Sequence, residues 1–237
     1  MNLILFQENE LERPLALTDE RAKHIIKVLK LETGDSLKVG LLNRSKGTAT
    51  ISSRTSAGFE FEFQWEENEP TPDPITLIIG LSRPHTMQKV LQQATTMGVR
   101  KMIFVQTELG ERSYASSKLW TTGDYKRHLF DGAQQAGSTR IPKVEYGAPL
   151  WIALHLVEDA EQKIVFHTSD KTLNRMTLER DNEIVLAIGS ERGWTDNELA
   201  IFQQNNFTIA GMGDRILRTE TAVVSALALT KAGMGAW

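Results

Sequence analysis

The chain has 237 residues, of which 41% are hydrophobic and 24% charged, and its formal net charge at pH 7 is -3. This composition excludes a disordered chain, and the length allows one large domain or a small domain followed by a medium one. The charge excludes a global basic field, and the absence of cysteine excludes disulfides and zinc–thiolate sites. With no signal-peptide pattern and no long apolar run, we expect a cytoplasmic protein without a membrane segment.

The first part of the chain has the pattern of a small β domain. Short strands are predicted at 37–42 and 48–51, separated by turn residues. Residues 59–65 alternate between aromatic and polar side chains, which indicates a half-buried antiparallel strand. A helix capped by Thr18 interrupts the strands, and its apolar stripe consists of Ala22, Ile25, Ile26 and Leu29. Together these elements predict a small β-barrel.

Residues 66–74 are acidic, contain three prolines and are a predicted linker. Beyond them, continuous apolar strands alternate with helices, which is typical of an α/β domain with a largely parallel, buried sheet. The predicted strands are 75–81, 101–106, 163–167, 183–189 and 207–211, and the predicted helices are 87–97, 118–136, 151–159 and 196–204. The sequence therefore predicts two domains, 1–72 and 73–237.

Two glycine loops late in the chain are the strongest sign of a ligand site. The strand 183–189 ends in the loop 189–193, after which Thr195 and Glu198 form a capping box at the start of a helix. The strand 207–211 also runs into glycines, and a helix follows. Ligands of α/β sheets bind where loops leave the carboxyl ends of strands, and glycines let backbone groups approach a flat adenine ring. Each loop alone is more typical of a tight turn than of a ligand site.

Taken together, the two loops resemble motifs of the RsmE family of 16S rRNA uridine-N3 methyltransferases. Residues 188–193 resemble the family's I-G-P-E-G-G, with Ser190 and Arg192 in place of its proline and one glycine. Residues 213–222 are very similar to the family's G-x-R-I-L-R-T-E-T-A. Weaker similarities extend the resemblance over essentially the whole chain, at 24–35, 92–99, 111–113 and 135–142.

The resemblance implies a SPOUT-type α/β knot, a mostly parallel sheet with a deep C-terminal trefoil knot, preceded by a PUA-like β-barrel that binds RNA. It implies S-adenosylmethionine as the cofactor, a homodimer, and 16S rRNA or the small ribosomal subunit as the partner. The residues expected to bind the cofactor are His167, Ile188, Gly189, Glu191, Gly193, Gly211, Met212, Gly213, Ile216, Leu217, Arg218, Thr219 and Thr221. No metal is expected, because the five histidines lack ligand spacing; His167 is alternatively structural.

Methylation of uridine N3 requires that the imide proton leave and that charge on the carbonyl oxygens be stabilised. From their positions in the motif, Arg218 or Arg215 is expected to supply positive charge. Glu220 or Glu191 is expected to take the proton or to orient a donor. The alternative is that Arg218 and Glu220 only hold the loop in place.

Eight basic residues lie between positions 21 and 54, a range that contains two acidic ones. Three of the lysines share one helical face and could neutralise phosphates, although a solvated helix face fits the same pattern. Two later arginines follow a strand and a helix, and surface salt bridges are their alternative role. The residues expected to contact RNA are Lys23, Lys27, Lys30, Arg44, Arg112 and Arg140.

The helix predicted at 221–231 is apolar nearly all round, so it must be buried on every side. Burial within one subunit and burial in a homodimer fit this pattern equally, and the family resemblance favours the homodimer. Two other functions remain open, namely methylation of a different RNA and RNA binding without catalysis. The second is motivated by four departures from the family motifs, at Gln93, Gln134, Ser190 and Arg192.

Overall fold

The computed structural model of the chain describes residues 3–168, 178–179 and 181–236. The chain divides into two compact units. The first comprises Met1–Thr71 and Ala133–Ile141, and the second comprises Pro72–Gly132 and Pro142–Trp237. The segment Ala133–Ile141 therefore groups with a unit from which it is distant in sequence.

The first unit contains a four-stranded sheet in the order β1-β2-β3-β4. Its strands are β1 (Ile4–Phe6), β2 (Ser36–Leu41), β3 (Lys46–Arg54) and β4 (Phe59–Trp65). β1 pairs with β2 in parallel, and the other two pairs are antiparallel. The predicted alternation along β4 is confirmed, because its aromatic side chains pack on the core while its polar ones are exposed. β1 was not predicted, since three consecutive apolar residues carry no period.

The helix of the first unit begins one residue later than predicted. α1 spans Glu20–His24 and continues as a single π-helical turn, Ile25–Leu29. The N-cap is Asp19, whose carboxylate accepts a hydrogen bond from the N–H of Arg21 at 2.8 Å. The predicted Thr18 cap is therefore wrong, because the side chain one position later satisfies the first free donor of the helix.

The predicted apolar stripe of this helix reaches the core only in part. Ala22 and Ile25 are fully buried, but Leu29 is 38% exposed. The π turn closes through i→i+5 hydrogen bonds, which are wider than the α-helical turn and shift Leu29 off the stripe. Lys30 ends the helix in the left-handed conformation, with φ of 54°.

Arg21 is the centre of a polar cluster in the first unit. Its guanidinium donates hydrogen bonds to Glu10 at 2.7 Å, to Asp19 at 2.8 Å and to the C=O of Leu5 at 2.9 Å. Burial raises the pKa of both carboxyl groups, but the hydrogen bonds from Arg21 outweigh burial, so the pKa of Glu10 and of Asp19 is lowered. Arg21 is therefore a structural cation engaged within its own unit.

The second unit contains a six-stranded sheet in the order β10-β8-β9-β5-β6-β7, and every pair in it is parallel. Its strands are β5 (Asp73–Gly80), β6 (Val99–Gln106), β7 (Lys143–Pro149), β8 (Gln162–Phe166), β9 (Ile184–Ile188) and β10 (Thr208–Ala210). The prediction of a largely parallel, buried sheet is confirmed. β7 was not predicted, because it is an edge strand with half-exposed side chains and no continuous apolar run.

The helices of the chain beyond residue 83 lie between these strands in sequence, except for the last, which follows β10. They are α2 (Pro84–Thr96), α3 (Lys118–Thr121), α4 (Tyr125–Ala136), α5 (Leu150–His155), α6 (Asp196–Gln204) and α7 (Thr219–Gly233). The helix predicted at 118–136 is two helices, because Gly123 has a positive φ of 78° and breaks it. No helix among the described residues has the length and apolarity needed to span a membrane.

The last helix, α7, packs against α2 and β9 with one face. Ala222, Val223, Ala226 and Leu227 on that face are buried. Leu229 on another side is 39% exposed. The helix is therefore not buried on every side within its own unit. This corrects one of the two interpretations of its apolar pattern, namely full burial within one subunit.

Candidate functional site

A cavity of about 340 Å³ opens at the carboxyl ends of β8, β9 and β10. β8 lies between β9 and β10 in the sheet, and the three strands run in the same direction. The loops that follow them therefore meet at one edge of the sheet. The walls come from 166–168, from the first glycine loop (188–193), from the second glycine loop (212–217), and from Thr219 and Ala222 of α7.

The first glycine loop is a tight turn, and two of its positions require glycine. The N–H of Gly193 donates to the C=O of Ser190 at 2.9 Å, and Gly193 has φ of 72°. A Cβ atom on Gly189 would lie 2.8 Å from the Cα and carbonyl carbon of Gly193. The carboxylate of Glu191 accepts a hydrogen bond from the N–H of Arg83 at 3.0 Å, which fastens the loop to the start of α2.

Arg192 stands where the resembled motif has glycine. The left-handed conformation in this loop belongs to Gly193 and not to Arg192. Arg192 therefore occupies an ordinary backbone conformation without strain, and its exposed side chain is part of the cavity wall.

The second glycine loop lines the cavity with backbone groups and with an exposed apolar side chain. Within the part of the chain that the structure describes, the N–H and C=O groups of 212–217 make no hydrogen bond to other backbone groups. Gly213 has φ of 102°, and Ile216 is fully exposed at the cavity. Free backbone donors and acceptors beside exposed apolar side chains are the surroundings that a nucleoside requires.

The residues predicted to act in catalysis have different positions. Arg215 is exposed and lines the cavity, whereas Arg218 is the exposed N-cap of α7 outside the lining. Glu220 lies in the first turn of α7, 3.1 Å from the ammonium group of Lys89 on α2. The pKa of Glu220 is lowered by a hydrogen bond from its own N–H and by Lys89, so this carboxylate is ionised near neutral pH.

Comparison with known proteins assigns the family. A family model for the RNA methyltransferase domain matches residues 69–231. The chain is 34% identical to ribosomal RNA small subunit methyltransferase E of Treponema pallidum (strain Nichols), over 100% of this chain and 93% of that protein. It is 32% identical to ribosomal RNA small subunit methyltransferase E 1 of Borreliella burgdorferi, over 97% of each protein. The chain belongs to the RsmE family.

The fold agrees with this assignment. The crystal structure of an RsmE from Neisseria gonorrhoeae bound to S-adenosyl methionine superimposes with a TM-score of 0.78. The superposition covers 98% of this chain and 97% of that chain, at 21% identity. The two proteins therefore share their fold.

Most of the residues that the RsmE resemblance assigns to the cofactor line the cavity. They are His167, Ile188, Gly189, Glu191, Gly193, Met212, Gly213, Ile216, Leu217 and Thr219. Three of the expected residues are not part of the lining, namely Gly211, Arg218 and Thr221. The lining also includes residues that the sequence did not assign to the cofactor, namely Phe166, Thr168, Ser190, Arg192, Asp214 and Ala222. Four of these, namely Ser190, Arg192, Asp214 and Ala222, lie within the RsmE loop motifs, which could have indicated them.

Two of the cations expected to contact RNA in this RsmE chain are paired within the first unit. Lys23 lies 2.6 Å from Glu20, and Arg44 lies 3.6 Å from Glu8. The sequence count of acidic residues between positions 21 and 54 missed both partners, because they precede that range. Exposed pairs of this kind are weak and can exchange for a phosphate.

Arg140 is held more firmly, and the remaining cations are exposed. The guanidinium of Arg140 donates to the C=O of Pro70 at 2.5 Å and to Glu69 at 3.0 Å. Lys27 and Lys30 are exposed at the end of the first-unit helix, and Arg112 is exposed after β6. An RNA role therefore requires no rearrangement at these last three positions.

Proposed function

We propose that this RsmE chain transfers the methyl group of S-adenosylmethionine to N3 of a uridine in 16S rRNA of the small ribosomal subunit. The observation that carries the proposal is the cavity formed by the two glycine loops, in a chain that belongs to a ribosomal RNA methyltransferase family. The relatives are named as ribosomal RNA small subunit methyltransferases. The choice of uridine N3 rests on the motif resemblance at 213–222.

The residues of the cavity fit the cofactor. The backbone groups of 212–217, which have no backbone partner among the described residues, can pair with the edge of an adenine ring, and Ile188, Ile216 and Leu217 offer apolar side chains to its faces. At Gly189 and Gly193 the first glycine loop presents backbone without a side chain to the cavity. When bound, S-adenosylmethionine supplies an electrophilic methyl group on its sulfonium.

The chain must then hold the uracil and compensate the charge that develops on it. Arg215 lines the cavity and can place positive charge beside the carbonyl oxygens as the N3 proton is lost. Arg218 precedes α7 by one residue and can approach once RNA is bound. Glu220 is ionised and paired with Lys89, so we assign it the orienting role and not that of proton acceptor.

Further features of the proposal come from the family resemblance. We infer a trefoil knot in 73–237, supported by a strand order in which the chain crosses from β8 to β9 and returns past β8 to β10. We also infer a PUA-like, RNA-binding barrel in 1–72, and a homodimer formed through the exposed side of α7, where Leu229 is 39% exposed. The place of action that follows is the cytoplasm, where ribosomal subunits assemble.

The test is transfer of labelled methyl from S-adenosylmethionine to small ribosomal subunits that lack the modification, followed by mapping of the labelled nucleotide. Label on a uridine N3 of 16S rRNA is the expected result. Label on another RNA would mean that the chain is a methyltransferase with a different substrate. Protein that fails to bind S-adenosylmethionine by calorimetry would instead be an RNA-binding protein without catalysis.

Within this assay, Arg218→Ala and Arg215→Ala separate catalysis from cofactor binding. Loss of an electrostatic partner of the transition state lowers kcat by about a hundredfold or more. Affinity for S-adenosylmethionine should change far less in both variants. Equal losses in methyl transfer and in cofactor affinity would reject the catalytic role of the arginine concerned.

A further inference from the structure

The loop after β6 lies at the same sheet edge as the cavity but is not part of its wall. This acceptor loop, 107–112, meets the first glycine loop across the end of β5, the strand between β6 and β9. A Cβ atom on Gly80, the last residue of β5, would lie 2.4 Å from the backbone N of Ser190 and 2.9 Å from a methyl group of Thr107. The missing side chain therefore lets the two loops approach, and their hydroxyl oxygens are 3.4 Å apart.

A buried carboxylate ties the acceptor loop to the start of α6. Glu198 is only 2% exposed. One of its oxygens accepts from the N–H of Thr195 at 2.9 Å, which completes the capping box. The other accepts from the N–H of Glu108 at 2.9 Å. The capping box requires only the first bond, so the second oxygen of this buried charge serves the acceptor loop.

The side chain of Glu108 makes the connection reciprocal. Its carboxylate accepts from the hydroxyl of Thr195 at 2.7 Å and from the side-chain amide of Asn197 at 2.5 Å. These hydrogen bonds lower the pKa of Glu108, which keeps it charged near neutral pH. Glu108 and Glu198 thus form a clamp between the acceptor loop and the residues that directly follow the first glycine loop.

The clamped loop presents groups that suit RNA. Leu109 is 41% exposed, and Arg112 is exposed at the end of the loop. Methyl transfer needs the acceptor nitrogen in line with the donor, and a misplacement of about 1 Å costs about a hundredfold in rate. A loop fastened to the cofactor side of the site can meet that demand better than a free one.

We propose that Glu198 and Glu108 are positioning residues that hold the acceptor loop as the RNA-facing wall beside the cofactor cavity. The inference rests on the proposed function. Neither side chain lines the cavity, so the clamp acts on the RNA and not on the cofactor. Loosening it raises KM for RNA and lowers kcat, while the affinity for S-adenosylmethionine stays the same.

The experiment compares Glu108→Gln and Glu198→Gln with the control Asp196→Asn. Asp196 is exposed in the first turn of α6, so its variant removes the same charge from the same place without breaking the clamp. Hydrogen exchange of the 107–112 amides, calorimetry with S-adenosylmethionine, and steady-state methyl transfer to small subunits are measured on each. In Glu198→Gln the amide of Glu108 should exchange about tenfold faster.

Both clamp variants should raise KM for the small subunit and lower kcat, so that kcat/KM falls by about tenfold or more. The control should match the wild type throughout, and cofactor Kd should stay within about twofold in all three. If Glu198→Gln does not fold, Glu108→Gln decides the matter, because Glu108 is exposed.

Glu108→Gln kinetics equal to those of the control would overturn the inference, and so would a parallel loss of cofactor affinity. If the wild type is active and Glu108→Gln has unchanged kinetics, only the positioning role is rejected. Wild type that binds the cofactor but methylates no small-subunit RNA rejects the proposed function, and the RNA role of the clamp with it.

Discussion

Replacement of Gly189 by alanine tests whether the first glycine loop shapes the cofactor site. The new Cβ atom would lie 2.8 Å from two backbone atoms of Gly193, against 3.4 Å for ordinary contact, so the loop must open by about 0.6 Å. Both atoms belong to the backbone, so no side chain can move aside. Overpacking of this kind costs about 1–3 kcal/mol.

Because Gly189 and Gly193 both line the cavity, the displacement changes the cavity wall itself. If this cost falls on the cofactor-binding conformation, Kd for S-adenosylmethionine should rise between about fivefold and about a hundredfold. Isothermal titration calorimetry measures this directly. A thermal melt of the same sample reports the accompanying loss of stability.

The control is Gly123→Ala, in the turn before α4. Gly123 has φ of 78°, and a Cβ atom there would meet nothing within 4 Å. Alanine at that position costs about 1 kcal/mol of stability through its backbone alone. Its Kd for the cofactor should equal that of the wild type. If Gly189→Ala also binds the cofactor with wild-type affinity, the argument that this loop shapes the site is refuted.

Three other outcomes follow from the described contacts. Because the pKa of Glu10 and of Asp19 is lowered in the folded protein, these carboxylates stabilise the fold above their ordinary pKa values of 4.5 and 3.8, and Tm should fall as the pH drops below about 4.5. Arg21→Ala should lower the free energy of unfolding by about 2–4 kcal/mol near pH 7 and make Tm depend less on pH in this acid range. An unchanged dependence of Tm on acid pH would contradict the cluster's role. Glu220→Gln should reduce kcat less than about tenfold, whereas a loss beyond about a hundredfold would make this carboxylate the proton acceptor. Leu229→Lys should yield monomers by light scattering with Tm nearly unchanged; persistent dimers would place the interface elsewhere.

Local patterns were sufficient for most of the second unit. Five of its six strands contain or border apolar runs, which are typical of a buried parallel sheet, and their positions were predicted to within about two residues. The edge strand β7 escaped prediction because its side chains are at most half-buried and its sequence has no continuous apolar run. The break at Gly123 escaped because a glycine within a helical pattern is often tolerated.

The sequence by itself determined the family, the parallel sheet and the positions of the two glycine loops. Only the tertiary structure decided that these loops share one cavity, because β9 and β10, separated by α6, flank the same strand β8. It also decided which charges are available. Arg21 looks like an ordinary surface residue in the sequence and Glu198 like a helix cap only, yet each is engaged by a partner distant along the chain. The physical reason is that a charge takes its role from the groups that fold around it, and local sequence does not specify those groups.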